Sequence, residues 1–561
     1  MSSSSSVHDK RKMLILWIGA VLVNIKSIFC DFTLDSAYAM ATSYRNLSGD
    51  KMLLQMWEPH QTSAFIGTVL MKIFYLLTGG WDFSALFLQI AGVLVFGIAT
   101  FFLHSFFRQY LPRDLTDYIC ILFLVLRPKQ IPMIEFSNML LLFSVLGSVF
   151  LASYFIKKKR VMLVLAALMD CLCVLSYPSA VVLCLFSAGL VIYFSEEKAR
   201  DFFIFAGVCA LSGAVYLSYL IFRSGTADLM LTVKSIMGSD DSHMRMIQSV
   251  YDYWSDTLRG VIILAAGIVL CCLLVRLKVL KTRDSRYAFV SAVFFVLSLA
   301  YCFYNEFVKG GYGSSCSFAA SFFIIPMIVV SALNLSKCSE TEKCIYVTGV
   351  WTAAGLFLSV LVLTNLPVIN VIGYMIPAAM VSLIPLYHIV PAADSEGTMR
   401  PAATLFVICF FFVLGRGILI QAYSDSTTMI TGIENVVRKG PAKGIFCSYM
   451  EYYMTECNIR EWDEQIREGE NLLVVGYAVD STEYMYRDSS VSHYSTINTA
   501  TFNETLLDYW GRFPDKRPDV IAVACWYGEL KYDEDSWMMQ WIEENYPVRT
   551  DGSYFAFFRA G

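Results

Sequence analysis

Long apolar runs separated by short polar breaks fill the first 421 positions, and the pattern then changes to short apolar stretches inside polar and aromatic sequence. Crossing the hydrocarbon core of a bilayer takes about 20 apolar residues in a helix. Windows of that size place spans near 13–30, 84–107, 115–127, 134–156, 161–177, 179–194, 201–222, 259–279, 286–304, 317–335, 345–365, 371–390 and 401–421. The run from Met13 to Cys30 follows Lys10-Arg11-Lys12, but no small-residue cleavage site ends it and it contains Asn24 and Lys26. It therefore reads as an uncleaved first span rather than a removed signal. The expected fold class is an α-helical polytopic membrane protein with about 13 transmembrane helices. A small α/β domain is expected to follow it.

Lysine and arginine concentrate on the cytoplasmic side of membrane proteins. The runs Lys10 to Lys12, Lys157 to Arg160 and Arg276 to Arg286 are thus expected inside. Alternation from there gives a cytoplasmic N-terminus in the cell membrane, and puts the loops 127–134, 223–258 and 305–316 outside, together with everything after 421. Both ends of the apolar segment 62–78 must then lie outside as well. It carries Lys72, and is expected to lie along or re-enter the outer leaflet without crossing. The division expected is a spanning part, 1–421, with an outer loop at 31–83, and a soluble extracytoplasmic α/β domain at 422–561. In the latter, Leu472 to Gly476, Val520 to Ala524 and Tyr554 to Phe558 read as buried strands. Helical patterns lie near 450–468, 503–511 and 535–546, and 513–518 is turn-like.

Composition agrees with lipid as the main solvent. Hydrophobic types make up 57% and charged types 16% of the 561 residues, against roughly 25% charged in soluble domains. The net charge of −4 argues against a nucleic-acid partner. The 16 cysteines form no CxxC pair, and most sit in apolar runs, where they read as small buried hydrophobes. No Walker A, GxSxG or HExxH motif is present, so ATP-driven transport and those hydrolase chemistries lack support.

The richest polar stretch is the first outer loop. Asp35 stands just beyond the first span. A helix-like stretch through Tyr38, Ala41 and Arg45 leads to Gly49-Asp50, then to the turn Trp57-Glu58-Pro59-His60, then to an apolar helix ending at Gly79. A carboxylate at a span end is well placed to take a proton from an acceptor hydroxyl at the membrane surface. Tyr38 and Trp57 could stack on the apolar face of a sugar, or could be ordinary interfacial belt aromatics. Asp50 and His60 are weaker candidates for the same surface, and a solvated loop or a helix cap would explain any of these polar residues. In the second outer loop Arg127 and Lys129 run against the positive-inside trend, so a phosphate-facing role is open, as is simple snorkelling. Glu135 and Asn138 follow. Arg416 lies within a span a few residues from its outer end, and Lys26 is similar, so each could meet a lipid phosphate. Asp170, in mid-span, reads as hydrogen-bonded to a neighbouring helix. Lys309 and Tyr312 lie in an aromatic, glycine-rich outer loop suited to cover a substrate.

The order Asp35, Ala37-Tyr38, Ala41, Arg45, Gly49-Asp50, Pro59 and Gly79 resembles the opening of the GT-C glycosyltransferases of the protein O-mannosyltransferase and aminoarabinose-transferase type. Their pattern runs roughly DE-x-Y-x-x-x-A-R-x-x-x-x-GD, a proline-rich turn and an apolar helix. Motif detail covers about 50 residues, and the body of spans and outer C-terminal domain resemble the family more loosely. The resemblance implies an inverting transfer of a sugar from a polyprenyl-phosphate donor to a glycan, lipid or protein acceptor on the outer face, in cell-envelope glycan assembly. It implies that Asp35 is the catalytic base. An acid of the second loop would correspond to either Glu135 or Asn138. The family's second acid is Ser36 here, which removes one ligand from any metal or paired-carboxylate arrangement. No residue is assigned to a metal, and a divalent ion is the one cofactor left open. Two rival functions use the same hydropathy pattern: a lipid-linked glycan flippase, and a non-catalytic membrane component of a surface-polymer pathway.

Overall fold

The computed structural model describes residues 2–58, 60–128, 132–226, 229–230, 335–362, 371–388, 414–424, 426–476, 490–495, 501–526 and 529–561, with isolated positions between. The expected spans 259–279, 286–304 and 317–335 fall outside the described residues or nearly so, as does most of 401–421.

Helix α1 (Ser2–Cys30) opens the chain, followed by the two-residue strand β1 (Phe32–Thr33) and α2 (Leu34–Ser48). Then come α3 (Ala64–Thr78), α4 (Ser84–Phe107), α5 (Arg113–Val125), α6 (Phe136–Lys157), α7 (Arg160–Ser176), α8 (Val181–Phe194) and α9 (Lys198–Ser224). After the undescribed stretch stand α10 (Glu340–Val362) and α11 (Ile376–Tyr387). Among the described residues six helices are long and apolar enough to cross a membrane: 11–30, 61–78, 84–107, 136–157, 198–224 and 340–361. The helices at 113–125, 160–176, 178–194 and 373–387 are shorter, because proline or charged breaks at Pro112, Pro128 and Pro178 interrupt the apolar runs.

Local chemistry explains several boundaries. The Glu135 carboxylate accepts from the backbone N–H groups of Ser137 (2.8 Å) and Asn138 (2.7 Å), capping α6 at its start. Lys158, in the left-handed region at φ 55°, ends α6 and lets α7 fold back on it at Arg160. Gly92 on α4 faces the backbone before α6 so closely that a Cβ there would meet the Pro132 carbonyl oxygen at 1.8 Å. Small residues allow such approach where lipid supplies no hydrophobic drive between helices. Asp170 is buried on α7 against Gly147 of α6.

The C-terminal region is α/β. Strand β2 (Ile420–Ser424) pairs in parallel with β1, Phe32 opposite Tyr423, and antiparallel with β3 (Ser426–Met429). The short pair β4 (Asn435–Val436) and β5 (Phe446–Cys447) leads into α12 (Tyr449–Gln465), which opens with a Ser448–Glu451 capping box. The main sheet has the order β6 (Leu472–Val475), β7 (Val520–Trp526), β10 (Phe555–Arg559), β9 (Val548–Asp551), and β8 (Glu529–Leu530) pairs with β7. Helices α13 (Glu504–Arg512) and α14 (Trp537–Asn545) contribute Leu506, Tyr509, Trp510, Met539 and Ile542 to the apolar layer on Leu473, Ile521 and Val523. Strands β6 and β7 are buried on both faces over Leu472–Val475 and 520–525, and so read as continuous apolar runs.

The first loop is bonded to this region at both ends of α3. Before the helix, the Trp57 N–H donates to the His493 carbonyl (3.0 Å) and the Glu58 carboxylate accepts from Ser495 N–H. After it, Asp82 accepts from the Gly440 N–H (3.0 Å) and pairs with Lys443 (2.8 Å). A 15-residue helix is about 22 Å long, and the C-terminal region bonds to the chain at both of its ends. The segment is long and apolar enough to cross a membrane.

The centre of this junction is Arg45, which is fully buried. It donates to Asp50 (2.9 Å) and to the carbonyls of Gln55 (2.8 Å) and Ser492 (2.7 Å), and lies 3.6 Å from Glu58. Lys516 joins Asp50 at 2.7 Å. Burial works against charge on Asp50, but Arg45 and Lys516 more than offset it and hold its carboxyl below the usual range. Burial raises the Glu58 carboxyl despite Arg45. Burial, with Arg45 nearby, pushes the His493 imidazole down from 6.5 to about 3. Between those two values the unfolded chain binds a proton that the folded chain refuses. Stability from His493 is therefore complete above about pH 6.5 and declines as pH falls, by about 1.4 kcal/mol per unit. Thermal unfolding of the purified protein, followed by tryptophan fluorescence, is expected to show a loss of about 2 kcal/mol between pH 6.5 and 5 that His493→Phe abolishes. An equal loss in both proteins would assign the pH dependence elsewhere.

Candidate functional site

Helix α2 presents Asp35 in its first turn. Its start is set by Thr33, whose N–H donates to the Ser36 hydroxyl at 3.3 Å. Ser36, where the resembling family carries its second acid, is fully buried and serves the helix end. The end of α2 is set by Gly49, at φ 109°, a conformation that costs glycine little. That turn brings Asp50 back so that its N–H donates to the Arg45 carbonyl at 3.0 Å.

Around Asp35 the chain gathers residues from four segments. Tyr38, one turn on, meets Phe136 edge to face at 6.1 Å. His60 stacks on the same Phe136, with ring centroids 4.3 Å apart and planes within 10°, and lies 4.4 Å from Tyr177. Phe136 is the first residue of α6, directly after Glu135. Tyr374, just before α11, donates to the Ser137 hydroxyl at 2.8 Å, and the charges of both Glu135 and Asp35 act on its hydroxyl. Asn138 donates to the Met133 carbonyl at 2.9 Å. Burial raises the Tyr38 phenol well above its usual value, reinforced by Glu58, Tyr494 and Asp35, so it stays protonated at neutral pH.

Exposure separates the residues singled out in the sequence. Asp35, Tyr38 and His60 keep part of their surface open, whereas Glu135 and Asn138 are fully buried. Asp50 and Trp57 lie in the junction with the C-terminal region. Both faces of Trp57 are used, against His493 and Tyr509, with the Arg512 guanidinium 5.5 Å from the ring, and nothing of it is exposed. It offers no face to a sugar in this structure.

The cations are also placed. Lys26 pairs with Asp31 at 2.8 Å and donates to the Ile420 carbonyl, and Asp31 accepts from the Ala422 N–H at 2.9 Å. Arg127 donates to the Asn24 side chain and lies 4.6 Å over the Phe96 ring. The hollow between Lys26, Asp31 and Arg127 measures about 10 Å³, room for one water and not for a phosphate. Arg416 is buried on the turn whose Leu414 and Gly417 pack against Gly19 and Val23 of α1. Lys129, Lys309 and Tyr312 lie outside the described residues. The sequence reading passed over Asp31 and Tyr374. An acid five residues after a buried lysine was the available signal for Asp31. For Tyr374 there was none. Among the described residues, Cys338, Glu342 and His388 form a group able to hold a metal ion, and it belongs to a different part of the chain.

No protein-family model matches the chain, and no curated protein matches it by sequence. Solved structures similar to it are of archaeal oligosaccharyltransferase from Archaeoglobus fulgidus, a glycosyltransferase of GT-C fold. The apo form is 12% identical with a TM-score of 0.46, over 93% of this chain and 70% of that one. The complex with an inhibitory peptide and a dolichol-phosphate is 10% identical with a TM-score of 0.41, over 91% and 69%. The form tethered to an acceptor peptide containing the NVT sequon is 11% identical with a TM-score of 0.45, again over 91% and 69%. The roles proposed below for Asp35 and its neighbours rest on this chain's own geometry.

The Lys26–Asp31 pair is testable apart from any activity. Lys26→Met leaves Asp31 buried without its cation and is expected to cost about 3–5 kcal/mol. Adding Asp31→Asn is expected to recover most of that loss in thermal unfolding. A double variant as unstable as the single one would show that the pair does not hold this corner.

Proposed function

We propose that the chain is an inverting GT-C-type glycosyltransferase of the cell membrane, transferring a sugar from a polyprenyl-phosphate donor to an acceptor on the outer face. The observation that carries this reading is the setting of Asp35. It is a partly open carboxylate at the junction of a span and an outer helix, one turn before Tyr38, and its charge reaches the hydroxyls of both Tyr38 and Tyr374. Asp31, Asp50 and Glu58, the other acids of this loop before α3, are buried in ion pairs or hydrogen bonds.

In the proposed step the Asp35 carboxylate takes the proton of an acceptor hydroxyl. The freed oxygen attacks the anomeric carbon from the face opposite the phosphate, and the carbon–oxygen bond to phosphate breaks, leaving the electron pair on the lipid phosphate. Configuration at the anomeric carbon is inverted. Tyr38 and His60 would bound the sugar or acceptor, and Tyr374, Glu135 and Asn138 would shape the wall behind them. Lys129, two residues beyond Arg127, and Lys309 with Tyr312 are proposed for the phosphate and sugar side.

Orientation follows from charge. The cationic run Lys157 to Arg160 lies at the end of α6 opposite Glu135 and Phe136, so the positive-inside trend puts the Asp35 end and the C-terminal region outside. The thirteen-span count and the cytoplasmic N-terminus belong to this proposal. The docking of 490–516 on the loop would make the C-terminal region the support of the acceptor side.

Native membranes supplied with labelled polyprenyl-phosphate sugars provide the test, with wild type and Asp35→Asn at equal expression. Wild type should transfer label and the variant should lose at least about a hundredfold, the size expected of a general base. Equal transfer by both removes Asp35 from the chemistry. Movement of lipid-linked glycan across liposomes without transfer would replace the enzyme reading by the flippase one.

A further inference from the structure

At the other end of the bundle three side chains converge that the proposed transfer does not use. Cys338 follows the short turn 335–337, Glu342 stands in the first turn of α10, and His388 caps the C-terminal end of α11. One ligating atom from each lies within 4.8 Å of the others. Cys338 and Glu342 are buried, and the His388 side chain is 31% exposed. We propose that Cys338, Glu342 and His388 bind a zinc-class divalent cation, which fastens the start of α10 to the end of α11.

Two of the three side chains already meet, in a histidine–carboxylate hydrogen bond. His388 Nε2 and Glu342 Oε1 are 3.0 Å apart. Two ligands of a tetrahedral zinc, each about 2.0–2.2 Å from the ion, are separated by little more than that. The three ligating atoms lie within 4.8 Å of one another, so the sulfur needs to draw in only a little to reach a sulfur–zinc distance of about 2.3 Å. Glu342 is already aimed. Its other oxygen, Oε2, accepts from the Ser339 N–H at 2.7 Å and the Ser339 hydroxyl at 2.9 Å, leaving Oε1 turned to His388. Ligands fixed by outer hydrogen bonds in this way are typical of metal sites.

Donor chemistry selects the ion. Sulfur, imidazole and one carboxylate suit zinc and neighbouring transition ions, while magnesium and calcium prefer oxygen cages. Three protein ligands leave a fourth position, and the exposed edge of His388 opens it to solvent. Location is consistent with a free thiol. The Lys158 charge acts on Cys344, six residues after Cys338, so this end of α10 lies beside the cationic run proposed to be cytoplasmic, where thiols stay reduced. Ser331 bonds to both Tyr346 of α10 and Ser382 of α11, so the same two helices are already joined one turn deeper. The ion would close that seam at its open end.

The full-length protein, purified in detergent and stripped with chelator, would be titrated with Co²⁺. One Co²⁺ per chain should produce the near-ultraviolet charge-transfer band of a cobalt thiolate, and Zn²⁺ should displace it and raise Tm. Cys338→Ser should remove the band, His388→Ala should weaken binding at least about tenfold, and Cys344→Ser should leave the band unchanged. Should Cys338→Ser not fold, alkylation of the wild type mapped by mass spectrometry decides instead, since Zn²⁺ must slow labelling of Cys338. Absence of a thiolate band in folded wild type overturns the proposal. So does a band that survives Cys338→Ser, or labelling of Cys338 that is indifferent to Zn²⁺.

Discussion

Arg45 is the point on which the junction between the first loop and the C-terminal region depends. A guanidinium with no exposed surface must satisfy its donors inside the protein, since an uncompensated buried charge is among the most expensive features a fold can carry. Two carboxylates come from the same loop, at Asp50 and Glu58, and a carbonyl comes from Ser492 of the C-terminal region. The loop cannot satisfy Arg45 fully by itself, and the region after 490 cannot leave without stranding it. The C-terminal region is therefore part of the site's support even where it contributes no reacting group.

Helix α2 is held at both ends by such constraints, and this bears on Asp35. At the last turn stands Arg45. Before the first turn, β1 pairs with β2, and Asp31 ties Lys26 of α1 to the Ala422 N–H of β2. The helix between these two fastenings has little freedom to slide. The role proposed for Asp35 requires that it be held to within a fraction of an ångström of the proton it takes. Here the rigidity comes from buried charge on either side, while the carboxylate itself stays at an open edge.

Much of the architecture was legible in the sequence, because its signals are local. Apolar runs at 84–107, 134–156 and 345–365 became helices within a few residues, and Leu472 to Val475 and Val520 to Ala524 became adjacent parallel strands. What stayed hidden was non-local. Nothing near Phe32 announces that it pairs with Tyr423 nearly 400 positions later, and the expected domain boundary at 421 falls inside that strand. Sequence cannot tell a tryptophan open to a sugar from one enclosed by a partner surface, so Trp57 read equally as a stacking platform or a belt aromatic, and the fold encloses it between His493 and Tyr509. Lys26 read as able to meet a lipid phosphate, whereas the fold pairs it with Asp31 and brings the Ile420 carbonyl and the Ala422 N–H to that pair.

These hidden partners also sort the acids of the first loop. Asp31, Asp50 and Glu58 each meet a cation or a backbone donor in a dry setting, and each would leave an unpaired charge behind if it were spent on a substrate. Glu135 holds the start of α6, so its oxygens are already used. Asp35 differs in position, since the capping duty at the start of α2 falls to Ser36. A serine in the helix-capping position does the structural work at the start of α2, where the resembling family carries its second acid, and the neighbouring Asp35 keeps part of its surface open.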